Sequence, residues 1–204
     1  MALANYTDLQ AAVAAWLHRD DLTSIIPDWI ALAEKRINGD LDARLQDTLA
    51  TLSTVAATAT VASPTDVINI RSLTVQSSPN IVLDYLTPDQ FNTQYAFGET
   101  GTPRSFSVIG TNIYLGPTPD AVYSIQCLYK AAITPLSSGS PTNWLMTNYP
   151  QVYLFATLCA SVMYTRDDPA LPNWESRYTE AVRSVNATDW YSGSTMRVRS
   201  DVRL

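Results

Sequence analysis

The sequence predicts an α+β protein, in which a small helix bundle carries a β-rich insertion and an extended C-terminal arm. Both ends of the chain place apolar residues at helical spacing, whereas its middle is rich in Thr, Val, Ser and Tyr, with Pro and Gly about every ten residues. The last residues resemble neither part. The expected bounds are 1–45 for an N-terminal helical hairpin, 46–133 for the β-rich insertion, 134–190 for two C-terminal helices and 191–204 for the arm.

The N-terminal part is expected to hold two short amphipathic helices. Thr7 can cap the first, and the charged stretch 18–21 interrupts its apolar periodicity. The second begins near Ile25 or Pro27, since proline suits the first turn of a helix, and ends near Gly39. Two helices joined by a short link predict an αα-hairpin.

The β-rich insertion is expected to contain several strands and one short helix. Thr87 can cap that helix, with Pro88 in its first turn. The segment 110–112 predicts a hairpin turn, and 98–103 is typical of an exposed loop. Polar and apolar residues alternate most clearly in the last strand. The candidate strands are 48–53, 66–75, 81–85, 104–108, 112–115 and 121–131.

Helical periodicity returns after a segment, 134–142, whose composition is that of a linker. A third helix starts at Asn143, and because it is apolar around nearly its whole circumference we expect it to be central. Asp168 can cap a fourth helix, followed by Pro169 in the first turn.

Composition argues against two broad classes of function. With 13 Lys and Arg against 19 Asp and Glu, the net charge of −6 disfavours wrapping DNA through phosphate contacts. The longest apolar run, 152–164, is too short to span a bilayer, and the N-terminus lacks the pattern of a signal peptide. We therefore expect no membrane partner. Only 16% of the residues are charged, and a thinly charged chain often shares surface with protein partners.

Residues that could support catalysis or metal binding are few, so we expect no catalytic residue, no metal site, no cofactor and no enzyme activity. Cys127 and Cys159 are too far apart for a zinc site and lie in apolar patterns, which predicts buried free thiols. The single histidine, His18, has no nucleophile motif to serve. Carboxylate pairs occur at 20–21, 40 and 42, and 167–168, without the spacing of a calcium loop.

The C-terminal arm is basic, with three Arg and one Asp in residues 191–204. Such a short segment buries too little surface to fold alone, so we expect it to dock on another chain. Trp190 and Tyr191, at the exit of the last helix, are the expected anchors, because interfaces favour Trp, Tyr and Arg. The predicted docking residues are Trp190, Tyr191, Met196, Arg197, Val198, Arg199, Val202, Arg203 and Leu204.

Eight short segments follow one another in a recognisable order. They are YTDLQ at 6–10, WLHRDDL at 16–22, IPDWIALAEKRIN at 26–38, YLTPDQF at 85–91, GTPR at 101–104, YLGPTPD at 114–120, PTNWLM at 141–146 and PQVYL at 150–154. In this order the sequence, over about residues 5–190, resembles the adaptor (head-to-tail connector) proteins of tailed bacteriophages, especially short-tailed ones. The arm lies largely beyond the segments that carry the resemblance.

The resemblance implies a structural role in the virion, at the junction of capsid and tail, after synthesis in the host cytoplasm. Such adaptors form a ring, usually of twelve copies, under the portal protein. The ring extends the DNA channel and is the platform for tail or nozzle proteins. In relatives the helical part builds the ring and the C-terminal segment grips the portal, which would give the docking residues above their partner. Double-stranded DNA would pass through the lumen without sequence-specific binding, and an acidic wall would keep phosphates from sticking.

Three other functions stay open from the sequence. The chain could be a head-completion or tail-completion ring protein of a phage. It could be a binding module that uses the β-rich segment, for example on carbohydrate. An enzyme is the least supported of the three, for the reasons given above.

Overall fold

The computed structural model describes residues 3–95, 98–166 and 168–191, without the side chains of Asp168 and of residues 188–191. The described chain is α+β, as predicted. It divides into two compact units. Met1–Arg44 and Ile133–Leu204 form the helical unit, and Leu45–Ala132 forms the β-rich unit.

Six helices and ten strands occur in the described ranges. The helices are α1 (Tyr6–Leu17), α2 (Ile26–Asp40), α3 (Pro88–Gln94), α4 (Trp144–Asn148), α5 (Pro150–Thr165) and α6 (Leu171–Tyr191). The strands are β1 (Asp47–Ser53), β2 (Thr60–Ala62), β3 (Val67–Val75), β4 (Ile81–Val82), β5 (Asp84–Tyr85), β6 (Thr100–Gly101), β7 (Ser105–Ile109), β8 (Asn112–Gly116), β9 (Thr118–Pro119) and β10 (Ser124–Ala131). Two 3₁₀ turns span Arg44–Gln46 and Asp168–Ala170.

The helical unit is organised around α5, which packs against α1, α2, α4 and α6. Apolar residues cover nearly all of its circumference, so it can face a neighbour on several sides at once. Nine of its sixteen residues are buried. The largest side chains buried almost completely in this core are Leu9, Leu22, Ile26, Ile30, Ile37, Leu41, Tyr153 and Tyr178.

Three of the expected helix ends in this unit were wrong. Asn5, not Thr7, caps α1, because its Oδ1 accepts the backbone N–H of Asp8 at 2.9 Å. The expected third helix is two helices, since Tyr149 leaves helical geometry and Pro150 starts α5 afresh. Asp168 begins a 3₁₀ turn that precedes α6, instead of capping that helix directly. The second helix does begin at Ile26, with Pro27 in its first turn.

The β-rich unit contains two four-stranded sheets and a two-stranded one. The first sheet has the order β1-β10-β3-β4 and is antiparallel throughout. The second has the order β2-β8-β7-β5, with β5 parallel to β7, and β6 pairs with β9 in parallel. In the first sheet Cys127 of β10 lies between Ala50 of β1 and Leu73 of β3. The buried core residues of this unit are Leu73, Val75, Leu83, Phe106, Ile113, Leu115, Ile125, Cys127, Tyr129 and Ala131.

The long strands match the periodicity, and the shortest strands do not. Residues of β10 alternate between buried and half-buried along its whole length, as predicted, although the strand starts at Ser124 rather than at 121. The expected strand 81–85 is interrupted at Leu83, so that β4 joins the first sheet and β5 the second. Strands β2, β6 and β9 were missed, and β6 lies within the expected loop 98–103. Two or three residues are too few for an alternation to be recognised.

Two local predictions for this unit are confirmed, the hairpin turn at 110–112 and the helix cap at Thr87. Gly110, with φ of +62°, leads the turn between β7 and β8, where Ile109 pairs with Asn112. Thr87 and Gln90 form a reciprocal capping box at the start of α3, and that helix buries Phe91.

Within the described residues, no helix combines the length and the apolar character needed to cross a bilayer.

Candidate interaction surfaces

The sequence-predicted docking residues lie at the end of α6 and beyond it. Trp190 and Tyr191 are the last two residues of this helix, and their side chains are not among those described. Residues 192–204 lie outside the described part of the chain. The docking residues there are Met196, Arg197, Val198, Arg199, Val202, Arg203 and Leu204. Their role stays a prediction.

A cluster of polar contacts holds α6 against α2. The guanidinium of Arg36 donates to both carboxylate oxygens of Glu175, at 3.0 Å to Oε2 and closer still to Oε1. It also lies 4.3 Å from the centre of the Tyr178 ring. The Tyr178 hydroxyl donates to Oδ2 of Asp40 at 2.8 Å. The hydrogen bonds from Arg36 lower the pKa of Glu175, so both partners stay charged near neutral pH.

A second polar cluster fixes the segment that composition marked as a linker. Glu34 is 8% exposed, and its Oε1 accepts the backbone N–H of Leu136 at 2.7 Å. Burial raises the pKa of this carboxyl, because the charged form loses its hydration. The Tyr153 hydroxyl accepts a hydrogen bond from Nδ2 of Asn143 at 2.6 Å, and the same amide donates to the carbonyl of Thr134. The sequence signal for Glu34 was a carboxylate within the apolar stripe of α2, and sequence reasoning did not use it.

Among the described residues of the helical unit, four large apolar side chains are exposed. Met163 is 93% exposed, Tyr164 and Leu32 are each 56% exposed, and Trp16 is 49% exposed. The Trp16 ring meets Phe155 edge-on at a centroid distance of 5.9 Å, which holds it at the surface. Met163 and Tyr164 are neighbours in the sequence, so together they offer apolar surface that another protein can cover.

The β-rich unit has a groove of about 830 Å³. Its walls come from β3, β4, β5 and β7 and from the turns 63–65 and 110–111. The exposed apolar residues Ile68, Val82 and Tyr85 line it, together with the buried Leu83 and Phe106. The β-rich segment therefore does carry a concave apolar surface, formed where the interrupted strand 81–85 passes from one sheet to the other.

The structure shows where the two cysteines, the single histidine and Asp21 lie. Cys127 and Cys159 are free and buried, as predicted, and burial raises the pKa of each thiol to about 11. Both therefore stay protonated at neutral pH. His18 is exposed and ends α1 in the left-handed conformation. Asp21 pairs with Arg19 at 2.6 Å. Among the described residues no group of three or more His, Cys, Asp or Glu is placed to hold a metal ion.

The two polar clusters fix helices and loops within the helical unit, and exposed apolar side chains on both units offer contacts to other proteins. The family model of the SU10 adaptor protein matches residues 4–199, and the chain belongs to that family. The family resemblance read from the sequence is thereby confirmed. No curated protein matches the chain.

Membership has consequences for the role of the chain. It is a bacteriophage adaptor protein, a structural component of the virion that interacts with other head and tail proteins of the phage. Adaptors of this kind are structural and are not known as enzymes.

Proposed function

We propose that this adaptor forms a ring between the portal and the tail, where it extends the DNA channel and provides the platform for tail or nozzle proteins. The match to the SU10 adaptor family over residues 4–199 carries the proposal. A ring of about twelve copies uses one pair of different surfaces, repeated until the circle closes. The exposed apolar residues of the helical unit, above all Met163 and Tyr164, are suited to such a contact.

The acidic character of the chain suits the passage of DNA. The net charge is −6, with only two lysines in the sequence. Like charge on the channel wall keeps the phosphates of the passing duplex from binding tightly. We therefore expect acidic side chains to outnumber basic ones on the face that lines the lumen, and DNA to pass without sequence-specific contacts.

We propose that the end of α6 and the segment after it grip the portal. The anchors are Trp190 and Tyr191, followed by Met196, Arg197, Val198, Arg199, Val202, Arg203 and Leu204. A buried Trp at the centre of an interface commonly contributes about 2 kcal/mol or more. The Arg36–Glu175 pair fixes the start of α6 to α2, and Trp190 lies about four turns further along the same helix.

Co-sedimentation with a purified portal ring tests this assignment. We expect Trp190→Ala to weaken binding of the adaptor by about 30-fold, the equivalent of about 2 kcal/mol. His18→Ala is the matched control, because His18 is exposed at the end of α1 and takes no part in the proposed contact. Equal binding of both variants would contradict portal docking through Trp190. Binding to tail proteins but not to the portal would favour a tail-completion ring protein.

A further inference from the structure

Among the described residues, strand β3 has no strand partner along part of one backbone edge within the groove. Strand β3 has nine residues and pairs along its length with β10 on one side. On the other side β4 pairs only with Thr74 and Val75. In the described part of the chain no strand pairs with residues 67–72 on that side, and these residues line the groove. An open strand edge inside an apolar groove is the geometry to which extended peptides add as a strand.

The side chains that line the groove indicate which kind of peptide could bind in it. Val82 is 64% exposed, Tyr85 58% and Ile68 42%, so the lining offers apolar contacts to alternate side chains of a strand. Asp84, also in the lining, makes no ion pair with any described residue. The β-rich unit as a whole carries six Asp and Glu against three Lys and Arg. A strand with one apolar face and one basic face would complement both the apolar lining of the groove and the acidic character of the unit.

The C-terminal segment of this chain has that pattern. From 196 to 204 the even positions are Met, Val, Ser, Val and Leu, and the odd positions are Arg, Arg, Asp and Arg. Apart from Ser200 and Asp201, apolar and basic residues alternate along these nine positions, which is typical of a strand with one apolar face. Its length equals that of β3.

We propose that residues 196–204 of one copy add as a strand to the open edge of β3 in the groove of a second copy. Donor and acceptor are different surfaces, so the contact is heterologous and can be repeated around a ring. The proposal rests on the proposed function, because it concerns the segment that grips the portal. The groove of a second copy holds this segment before the portal is bound, and the segment leaves the groove when it binds the portal.

Disulfide trapping between full-length chains tests the proposal without the portal. One chain carries Val82→Cys in the groove, and it is mixed in turn with chains that carry Cys in place of Met196, Val198, Val202 or Leu204. The native thiols, Cys127 and Cys159, are buried and give little background. Binding brings two thiols to a high effective concentration, so we expect at least about ten-fold more linked dimer at one donor position than at the others.

Two matched controls sharpen the experiment. In the first control, the acceptor chain carries Val122→Cys instead of Val82→Cys. Val122 is 69% exposed on the same unit but lies outside the groove lining, so it measures linking that does not depend on the groove. Asp84→Arg should lower the yield of linked dimer several-fold, whereas Glu99→Arg, an exposed acid outside the groove lining, should not. Yields that are equal for Val82 and Val122, or equal at every donor position, would overturn the proposal.

The outcomes also separate this proposal from the proposed function. A further variant carries the groove cysteine at Val82 and a donor cysteine in the same chain. If this variant forms only a link within one chain, and mixed chains give no linked dimer, then the segment binds its own groove and the second-copy contact is overturned. Neither result bears on portal binding, which the co-sedimentation of Trp190→Ala measures. If portal binding failed but linked dimer still formed at one donor position, the contact in the groove would stand and the portal assignment would not.

Discussion

Glu34 and Glu175 are two carboxylates of the helical unit whose surroundings move the pKa in opposite directions. Burial dominates at Glu34 and raises its pKa above the ordinary 4.5, although it accepts the Leu136 N–H. Hydrogen bonds from Arg36 dominate at Glu175 and lower its pKa. The stability that Glu34 contributes is therefore complete below pH 4.5 and is lost as pH rises through its raised pKa. The contribution of Glu175 is present above pH 4.5 and is lost as pH falls through its lowered pKa.

Two replacements of Glu34 distinguish the effect of its charge on stability from the effect of its hydrogen bond. Glu34→Gln keeps an oxygen that can accept the Leu136 N–H and removes the cost of burying a charge. We expect the free energy of unfolding of Glu34→Gln, relative to the wild type, to rise as pH increases from about 4 to 7. Glu34→Ala should show the same pH dependence relative to the wild type, but it should be about 1–3 kcal/mol less stable than Glu34→Gln at every pH, since it leaves a buried N–H unpaired. Urea unfolding across this pH range measures both, and equal losses for the two variants at pH 7 would contradict this account.

At the scale of elements, the end of α3 and the end of β8 meet around one aromatic ring. The Tyr95 ring packs against the Phe91 ring at a tilt of 50°, with the ring centres 5.1 Å apart, and its hydroxyl donates to Oγ of Ser105 at 3.2 Å. A Cβ placed on Gly116 would overlap this ring, so a larger residue at that position requires the Tyr95 ring to move. The packing of α3 on the second sheet thus depends on the absence of a single methyl group.

Adding that methyl group tests the contact. We expect Gly116→Ala to destabilise the protein by about 1–3 kcal/mol, because the ring must move from a packed position. Gly139→Ala is the control, since the nearest atom to an added Cβ there is the Ser137 hydroxyl at 3.9 Å, and it should change stability by less than about 0.5 kcal/mol. Chemical denaturation measures both variants. A Gly116→Ala variant as stable as Gly139→Ala would show that the ring moves away at no cost.

Elements were predictable from the sequence where a period repeats, and unpredictable where distant residues decide. The apolar stripe of α2 and the alternation of β10 extend over several periods, so each shows its type without help from the rest of the chain. The interruption at Leu83 depends on two sheets competing for one short segment. The contact of Glu34 with Leu136 joins residues 102 positions apart. The groove arises from that interruption, so the sequence could not have predicted it.

For the whole molecule, we expect assembly to cover part of the exposed apolar surface, and Met163 is the candidate on the helical unit. Met163, at 93% exposed, contributes almost nothing to the core of the single chain, yet it lies near the end of the helix that organises the unit. Because its side chain is almost fully exposed, Met163 can contact another copy without any change in the fold of its own chain.

We expect Met163→Asp to leave the stability of the isolated chain within about 0.5 kcal/mol of the wild type and to prevent assembly of copies into a ring. Val122→Asp on the β-rich unit is the matched control, since Val122 is 69% exposed and should leave a ring contact through the helical unit intact. Thermal unfolding gives the stability of each variant, and sedimentation in the presence of the portal gives its assembly. Normal assembly of Met163→Asp would exclude this surface from the ring.

The central claim is that this adaptor builds a ring on the portal and is held there by its C-terminal segment. Native mass spectrometry of a purified portal ring mixed with the adaptor tests it most directly, alongside a chain that ends at Tyr191. We expect one portal ring with a single fixed number of adaptor copies, near twelve, and loss of that complex with the shortened chain. A mixture of variable copy number, or a complex that survives the truncation unchanged, would contradict the account.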